Sequence, residues 1–319
     1  MQRRLGRNGP LVSAVGLGLA DFAAGPGRIA RTLFAPLDQT AKTEVIKAAL
    51  DGGINWFDTA EMYGFGVSER SLAAALRSLD IAPASVMIAN KWFPLFRTAR
   101  SIAATIDARL SALNGYPIGL YMVHHPYGFS SAASEMKAMA ALAKKSLISA
   151  VGVSNFSARA MRQAHQTLAD LGLPLVANEL RFNLLHRGLE TNGVLETARE
   201  LGISLIAYSP LAKGFLSGRF HRDPKALATQ GLRRRLMMPQ DLTQTAPLME
   251  ALSHIAEAHG VNAAEVALAW VLHRLGDSGL AVIGATKPWQ ASAAASAMAL
   301  ALSDDEMGLL TERSDHALK

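Results

Sequence analysis

Four side chains in this sequence have the types and spacing needed to move a proton onto a reacting oxygen. Asp58 closes the apolar run Ile54-Asn55-Trp56-Phe57-Asp58, and Tyr63 follows in the next loop. Lys91 closes the run from Val86, and His124 closes the run from Leu120. A tyrosine is a poor acid near neutral pH, with a reference pKa of about 10. A neighbouring ammonium stabilises the phenolate and lowers that value. Lys91 can supply the ammonium, Asp58 can hold it in place, and His124 completes the arc. Each residue also has an ordinary explanation: a strand-end Asp as a cap or ion pair, a Tyr in the core or rim, a His as a satisfied structural residue. Their coincidence on three successive strand ends favours the functional reading.

The elements that would position them form a regular series. Further apolar runs end on Ser154-Asn155, Glu179, Tyr208-Ser209 and Gly284. From Asp58 to Tyr208 the polar ends are separated by 33, 33, 30, 25 and 29 residues, about one βα unit each. Unbroken apolar runs read as parallel strands buried on both faces. Eight are expected, near 12–19, 54–58, 86–91, 118–124, 148–154, 175–179, 203–208 and 280–283. Helical spacing lies between them, near 43–50, 68–79, 98–113, 131–144, 157–171 and 193–201, with Ser157 as an N-cap. Two more helices, near 247–259 and 262–275, precede the last strand. Asn8-Gly9-Pro10 separates two short extended pieces at the start and predicts a hairpin. The fold expected is an α/β (β/α)8 TIM barrel with an N-terminal β-hairpin and a long loop, 210–246, after strand 7. Such a loop is a candidate lid.

Composition narrows the function. The 319 residues fit one barrel domain spanning 1–319, with half of them hydrophobic and 18% charged. The chain has no cysteine, which excludes disulfides, thiolate catalysis and Cys-ligated zinc. The absence of a signal-like apolar start or a membrane-length run predicts a cytoplasmic protein without a membrane partner. The net charge of +6 has its dense spots at Arg3-Arg4 and Arg233-Arg234-Arg235, without interleaved aromatics. That reads as a solvated basic surface or as attraction for an anionic cofactor, and no nucleic-acid module is present. No metal is expected, since His124-His125 lacks zinc-pair helical spacing. No G-x-S-x-G nucleophile elbow occurs. Gly25-Pro26-Gly27-Arg28-Ile29-Ala30 fits G-x-G-x-x-A, but it has neither a clear preceding strand nor an acidic residue at the required distance. A rim loop is the better account.

The motifs Phe57-to-Glu69, Asn90-Lys91, Leu120-to-Pro126, Gly152-Val153-Ser154-Asn155-Phe156, Ala207-Tyr208-Ser209-Pro210-Leu211 and Gly284-Ala285-Thr286-Lys287-Pro288 resemble those of the aldo-keto reductases, in family order and over essentially the whole chain. The closer likeness is to bacterial and plant-type branches. The resemblance implies hydride transfer between a nicotinamide and a carbonyl carbon. Tyr63 would donate the proton, Lys91 held by Asp58 would lower the Tyr63 pKa, and His124 would orient the carbonyl. A developing alkoxide needs such preorganised donors and a tuned acid. Ser154, Asn155 and Glu179 then match positions around the nicotinamide carboxamide, and Tyr208 matches the aromatic residue under the ring. Ser209, Leu211, Gly214 and Gly218 match the pyrophosphate segment. Gly284, Ala285, Thr286, Lys287 and Gln290 match the adenosine-phosphate segment.

Three positions depart from the resemblance. Glu179 stands where the family usually has a Gln. Its carboxylate would either take the amide N–H or form a barrel-top ion pair, for instance with Arg181. Ala294 replaces an adenine-contacting Asn. Gln290 replaces an Arg for the 2′-phosphate, so NADP is the expected cofactor with NAD possible. Phe22, Trp92, Phe93, Tyr127 and Phe129 follow strand ends and are candidate walls of a substrate pocket or caps of the core. The expected partner is a small carbonyl or alcohol substrate; the oligomeric state is not readable. The alternatives are a nicotinamide-binding regulatory or channel-associated subunit, and an unrelated barrel enzyme such as a sugar-phosphate isomerase.

Overall fold

The computed structural model describes residues 1–23, 37–228 and 242–318. Strands β1 (Gln2–Arg4) and β2 (Leu11–Ser13) pair antiparallel as the N-terminal hairpin. Eight strands follow and close into a parallel barrel: β3 (Val15–Gly18), β4 (Trp56–Asp58), β5 (Met87–Trp92), β6 (Leu120–Val123), β7 (Val151–Ser154), β8 (Leu175–Arg181), β9 (Ser204–Tyr208) and β10 (Leu280–Gly284). The order around the barrel is the chain order, and β10 pairs with β3 to close it. This is the (β/α)8 architecture expected from the sequence. The first barrel strand is shorter than the apolar run 12–19. Ser13 ends the hairpin, receiving a hydrogen bond from the Asn55 amide and donating one to the Val15 carbonyl.

The connecting helices are α1 (Gln39–Asp51), α2 (Val67–Ser78), α3 (Arg100–Leu113), α4 (Ala132–Lys144), α5 (Ala158–Ala169) and α6 (Val194–Leu201). Asp38, Ser131 and Ser157 cap α1, α4 and α5 through their side-chain oxygens. Between β9 and β10 the described chain forms short helices α7 (Arg219–Arg222) and α8 (Pro224–Ala228), then α9 (Leu242–His259) and α10 (Ala263–Leu275). The interval 210–246 is therefore partly helical. The Arg233-Arg234-Arg235 cluster and the Gly25-to-Ala30 motif lie outside the described residues. After β10 come α11 (Pro288–Ser296) and α12 (Asp304–Ala317). Ser303 and Glu306 form a reciprocal capping box at the start of α12, a Ser-x-x-Glu signal that the strand-helix count passes over.

Two packed layers set the site. Between barrel and helices lies the larger core, which takes Phe57, Ile88, Trp92, Tyr121 and Val123. Inside the barrel lies a second cluster of Trp56, Ala89, Leu120, Met122, Ala177, Ile206 and Val282, with Leu5 and Val12 of the hairpin packed against it. The hairpin thus closes the N-terminal end of the barrel. Side chains alternate along a strand with period two. Two residues beyond each interior apolar residue the next inward position comes at the opposite end. Trp56 leads to Asp58, Ala89 to Lys91, Met122 to His124, Ala177 to Glu179, and Ile206 to Tyr208. The same alternation turns Trp92 outward, away from the barrel mouth.

Trp56 is fully buried, and its indole Nε1 donates to the Ser13 carbonyl at 2.9 Å. A Cβ on Gly16 would lie 2.2 Å from its ring. Gly16→Ala is expected to destabilise the protein by about 1–3 kcal/mol through overpacking. Urea unfolding would show a lower midpoint at unchanged slope; an unchanged midpoint would contradict this account of the barrel interior.

Candidate active site

The centre of the site is Lys91, fully buried at the C-terminal end of β5. Its Nζ donates to both carboxylate oxygens of Asp58 on β4 at 2.5 Å. It also lies 3.2 Å from Oε2 of Glu179 on β8. The Tyr63 ring centroid is 5.5 Å from the same Nζ, and the ammonium acts on the Tyr63 hydroxyl. His124 at the end of β6 meets Tyr63 edge to face at 5.8 Å. Asp58, Tyr63, Lys91 and His124 are therefore brought together as one group, and Glu179 joins them. Of the two readings open for Glu179 in the sequence, the structure shows a barrel-top ion pair, made with Lys91.

Neighbouring side chains hold the group in place. Asn90 accepts a hydrogen bond from the Lys91 amide and donates to Glu69, which also pairs with Arg109 at 2.9 Å. Glu69 and Arg109 are buried. Thr59 donates to Ser68, and Ser68 donates to the Leu19 carbonyl, tying the Tyr63 loop to the neighbouring strand end. Glu61 accepts from the Phe93 amide and from Arg97. Residues 61, 68 and 69 belong to the motif that drew attention to Tyr63. Their supporting role was not read from the sequence, because Leu19, Asn90, Arg97 and Arg109, which they hold, come from other βα units.

Burial controls the proton affinities. Tyr63 is raised above its ordinary value, first by burial, with Lys91 opposing and Asp58 and Glu179 reinforcing the rise. Lys91 therefore acts in the direction expected from the sequence, but burial and two carboxyls outweigh it. Burial disfavours the Lys91 ammonium; Asp58, Glu179 and Tyr63 reverse that and leave it raised overall. His124 is pushed down to about 2 by burial and by Lys91, so it is neutral. Its Nδ1 has no hydrogen-bond partner among the described residues.

A second arc runs along β7, β9 and β10. Asn155, in the left-handed region at φ 63°, donates to the His124 carbonyl, to Ser154 and to the His125 ring. The Tyr208 hydroxyl donates to Asn155 Oδ1 at 3.0 Å. The Glu179 carbonyl accepts from Ser154 Oγ and from the Asn155 amide. Beyond Tyr208, Ser209, Ala212, Lys213, Gly214 and Gly218 all have positive φ. Clustered left-handed backbone of this kind can turn successive amides toward an anion. Leu211 and the turn at Gly214 belong to this segment. After β10, Gly284 faces the Asp21 carboxylate, and Ala285 is buried. Gln290 Oε1 accepts from the Thr286 and Lys287 amides, so its side chain caps the start of α11.

The expected pocket walls divide. Phe22 and Trp92 are fully buried in the outer core and present no surface to a pocket. Phe22 lies under Lys42, and Trp92 donates to Ser101 on α3. Phe93 keeps partial exposure and meets His124 edge to face at 6.5 Å. His125 stacks between His124 and Tyr127. Tyr127, Phe129, Phe96 and Phe65 are exposed on the loops after β4, β5 and β6. Among the described residues no cluster could hold a metal ion, and no helix is long and apolar enough to cross a membrane.

The sequence pattern of the Aldo/keto reductase family matches residues 14–315. A chloroplastic pyridoxal reductase of Arabidopsis thaliana is 31% identical over 241 residues, which is 72% of this chain and 65% of that protein. The chain thus spans less than two thirds of that relative. An uncharacterized oxidoreductase of Mycobacterium bovis is 35% identical over 73% of this chain and 69% of its own length. Among solved structures, a thermostable aldo-keto reductase crystallised with the inhibitor epalrestat superposes with a TM-score of 0.77 at 26% identity, covering 98% of this chain and 99% of that one. An aldo/keto reductase from Klebsiella pneumoniae, in complex with NADP and acetate, shares the fold at TM-score 0.74 and 22% identity, over 98% and 94% of the two chains.

Lys91→Met would leave Asp58 and Glu179 buried without their cation, a loss expected to cost about 3–5 kcal/mol at neutral pH. Without the ammonium both carboxyls bind protons more tightly in the folded than in the unfolded chain. Stability of the variant is then retained below the unfolded carboxyl pKa of about 4 and lost as pH rises. Denaturation across pH should show the gap to the parent protein widening from acid to neutral. A constant gap would exclude an uncompensated carboxyl pair as the cause.

Proposed function

The chain belongs to the Aldo/keto reductase family, and on that premise we propose that it reduces an aldehyde or ketone reversibly to the alcohol, with NADPH preferred over NADH as hydride donor. The observation that carries the proposal is the buried Lys91 ammonium bonded to Asp58 and set against Tyr63, with neutral His124 alongside.

The nicotinamide, when bound, supplies the hydride. Tyr63 is protonated at neutral pH because burial holds its proton, so it is loaded to protonate a carbonyl oxygen. Lys91 then stabilises the tyrosinate left behind, and Asp58 keeps the ammonium charged and aimed. Neutral His124 can hydrogen-bond the carbonyl without adding a competing positive charge. The fit to a dinucleotide rests on Asn155 and Ser154 beside Tyr208, and on the left-handed backbone from Ser209 to Gly218. NADP is favoured by the family resemblance and is the cofactor of the Klebsiella protein of the same fold. The aromatic rim of Phe93, Tyr127 and Phe129 suits a carbonyl substrate with apolar surface.

NADPH and NADH should be mixed with a panel of aldehydes and ketones and their oxidation followed by absorbance. Turnover with at least part of the panel is expected. Tyr63→Phe should lower kcat by about 100-fold or more while the dissociation constant for NADPH changes little. Full activity in that variant would sink the proton-donor role. Binding of the dinucleotide with no oxidation across the panel would sink the reductase reading.

A further inference from the structure

Lys91 presents one positive charge to two carboxyls. Glu179 is buried to 3% exposure and Asp58 to 2%, so a second anion there has no solvent to spread its charge. Both carboxyls face the same single ammonium, so ionising both leaves one buried negative charge without a cation. Asp58 takes both short bonds from Lys91, whereas Glu179 is reached once and its Oε2 lacks hydrogen-bond geometry to any described partner. Asp58 is therefore the anion of the pair and Glu179 the acid. Through its backbone carbonyl Glu179 holds Ser154 and Asn155, and its carboxyl acts electrostatically on the Tyr208 hydroxyl of the neighbouring strand β9. It stands between the proton-donating group and the residues assigned above to the nicotinamide.

We propose that Glu179 is a further positioning residue, a neutral carboxylic acid that shares Lys91 with Asp58 and whose ionisation shifts the site from the uncharged reduced nicotinamide toward the cationic oxidised one. This deepens the proposed function and rests on it. With Glu179 protonated, Asp58 and Lys91 cancel. With Glu179 ionised, the cluster carries a net negative charge in a region of low permittivity, where a nearby cation is stabilised.

The groups facing Glu179 leave it as the one that titrates in the accessible range. Burial first, then Asp58, push it up to about 8. Lys91 on β5 is raised and stays charged, while Tyr63 after β4 and Tyr208 on β9 are raised and stay protonated. His124 and His125 after β6 are lowered and stay neutral. Burial pushes Asp58 on β4 up and Lys91 opposes that rise; its two bonds from Lys91, against one approach to Glu179, make it the carboxyl of the pair that keeps its charge. Arg181, further along β8, acts on Tyr208 against the effect of Glu179.

Two measurements test this. Dissociation constants for NADPH and NADP+ are determined by fluorescence from about pH 6 to about pH 9 on the parent protein and on Glu179→Gln. Phosphates are common to both forms, so the ratio isolates the ring charge. The parent is expected to shift its preference toward NADP+ by about tenfold as pH rises, and the variant to stay flat. Infrared spectra of the protein without cofactor should show a protonated-carboxyl band that fades through the same range and is missing from Glu179→Gln. Glu135, which burial alone pushes to about 7, is unchanged in the variant, so the difference spectrum reports Glu179. Binding of both forms with equal pH dependence in the two proteins would overturn the proposal, as would an unchanged infrared band. Failure of either form to bind at any pH would instead overturn the reductase reading, and the cofactor preference with it.

Discussion

A lysine ammonium with no exposed surface, set inside a barrel of apolar side chains, is the constraint around which this molecule is organised. Moving an ammonium from water into such an interior costs several kcal/mol unless charge and hydrogen bonds replace the lost solvent. Asp58 supplies the opposite charge, the Tyr63 ring packs beside the ammonium, and Glu179 supplies a second carboxyl. None of these can move far without leaving Lys91 uncompensated. The ammonium therefore keeps the ends of β4, β5 and β8 in one arrangement, and the Tyr63 loop with them.

The hydrogen-bonded surroundings extend this arrangement outward. Asn90 links the Lys91 backbone to the Glu69–Arg109 pair, so the strand carrying the lysine is tied to α2 and α3. Asn155 links His124 to Tyr208, so the group around Lys91 and the arc along β7, β9 and β10 share one side chain. Charge in one arc is felt in the other through Glu179, which bonds Ser154 and Asn155 with its backbone and Lys91 with its carboxyl. The two arcs that the sequence separates are physically one network.

The legible part of the site follows from the period of a β-strand. Interior residues such as Trp56, Ala89 and Met122 are apolar, and the second residue beyond each is Asp58, Lys91 and His124. That alternation places polar side chains inward at the C-terminal end without any knowledge of neighbours. Read strictly, it also turns Trp92 outward, although its position after a strand end suggested a pocket wall. Phe22 was less accessible to such reasoning, since it sits on a helical turn, Ala20–Ala23, rather than on a strand. The supports of the site were illegible for another reason: Glu69 with Arg109, and Glu61 with Arg97, meet across 40 and 36 residues of chain.

By itself the sequence determined the strand and helix alternation, the hairpin ahead of it, and the residue types at the barrel's working end. Those depend on local period, capping and turn chemistry, which adjacent residues carry. Only the tertiary structure decided that Glu179 shares Lys91 with Asp58, that Gln290 caps α11, and that burial outweighs Lys91 in setting the Tyr63 proton affinity. These depend on how far each strand is staggered against the next as the barrel closes. The stagger fixes which inward side chains reach the same depth, and how much solvent is left around them.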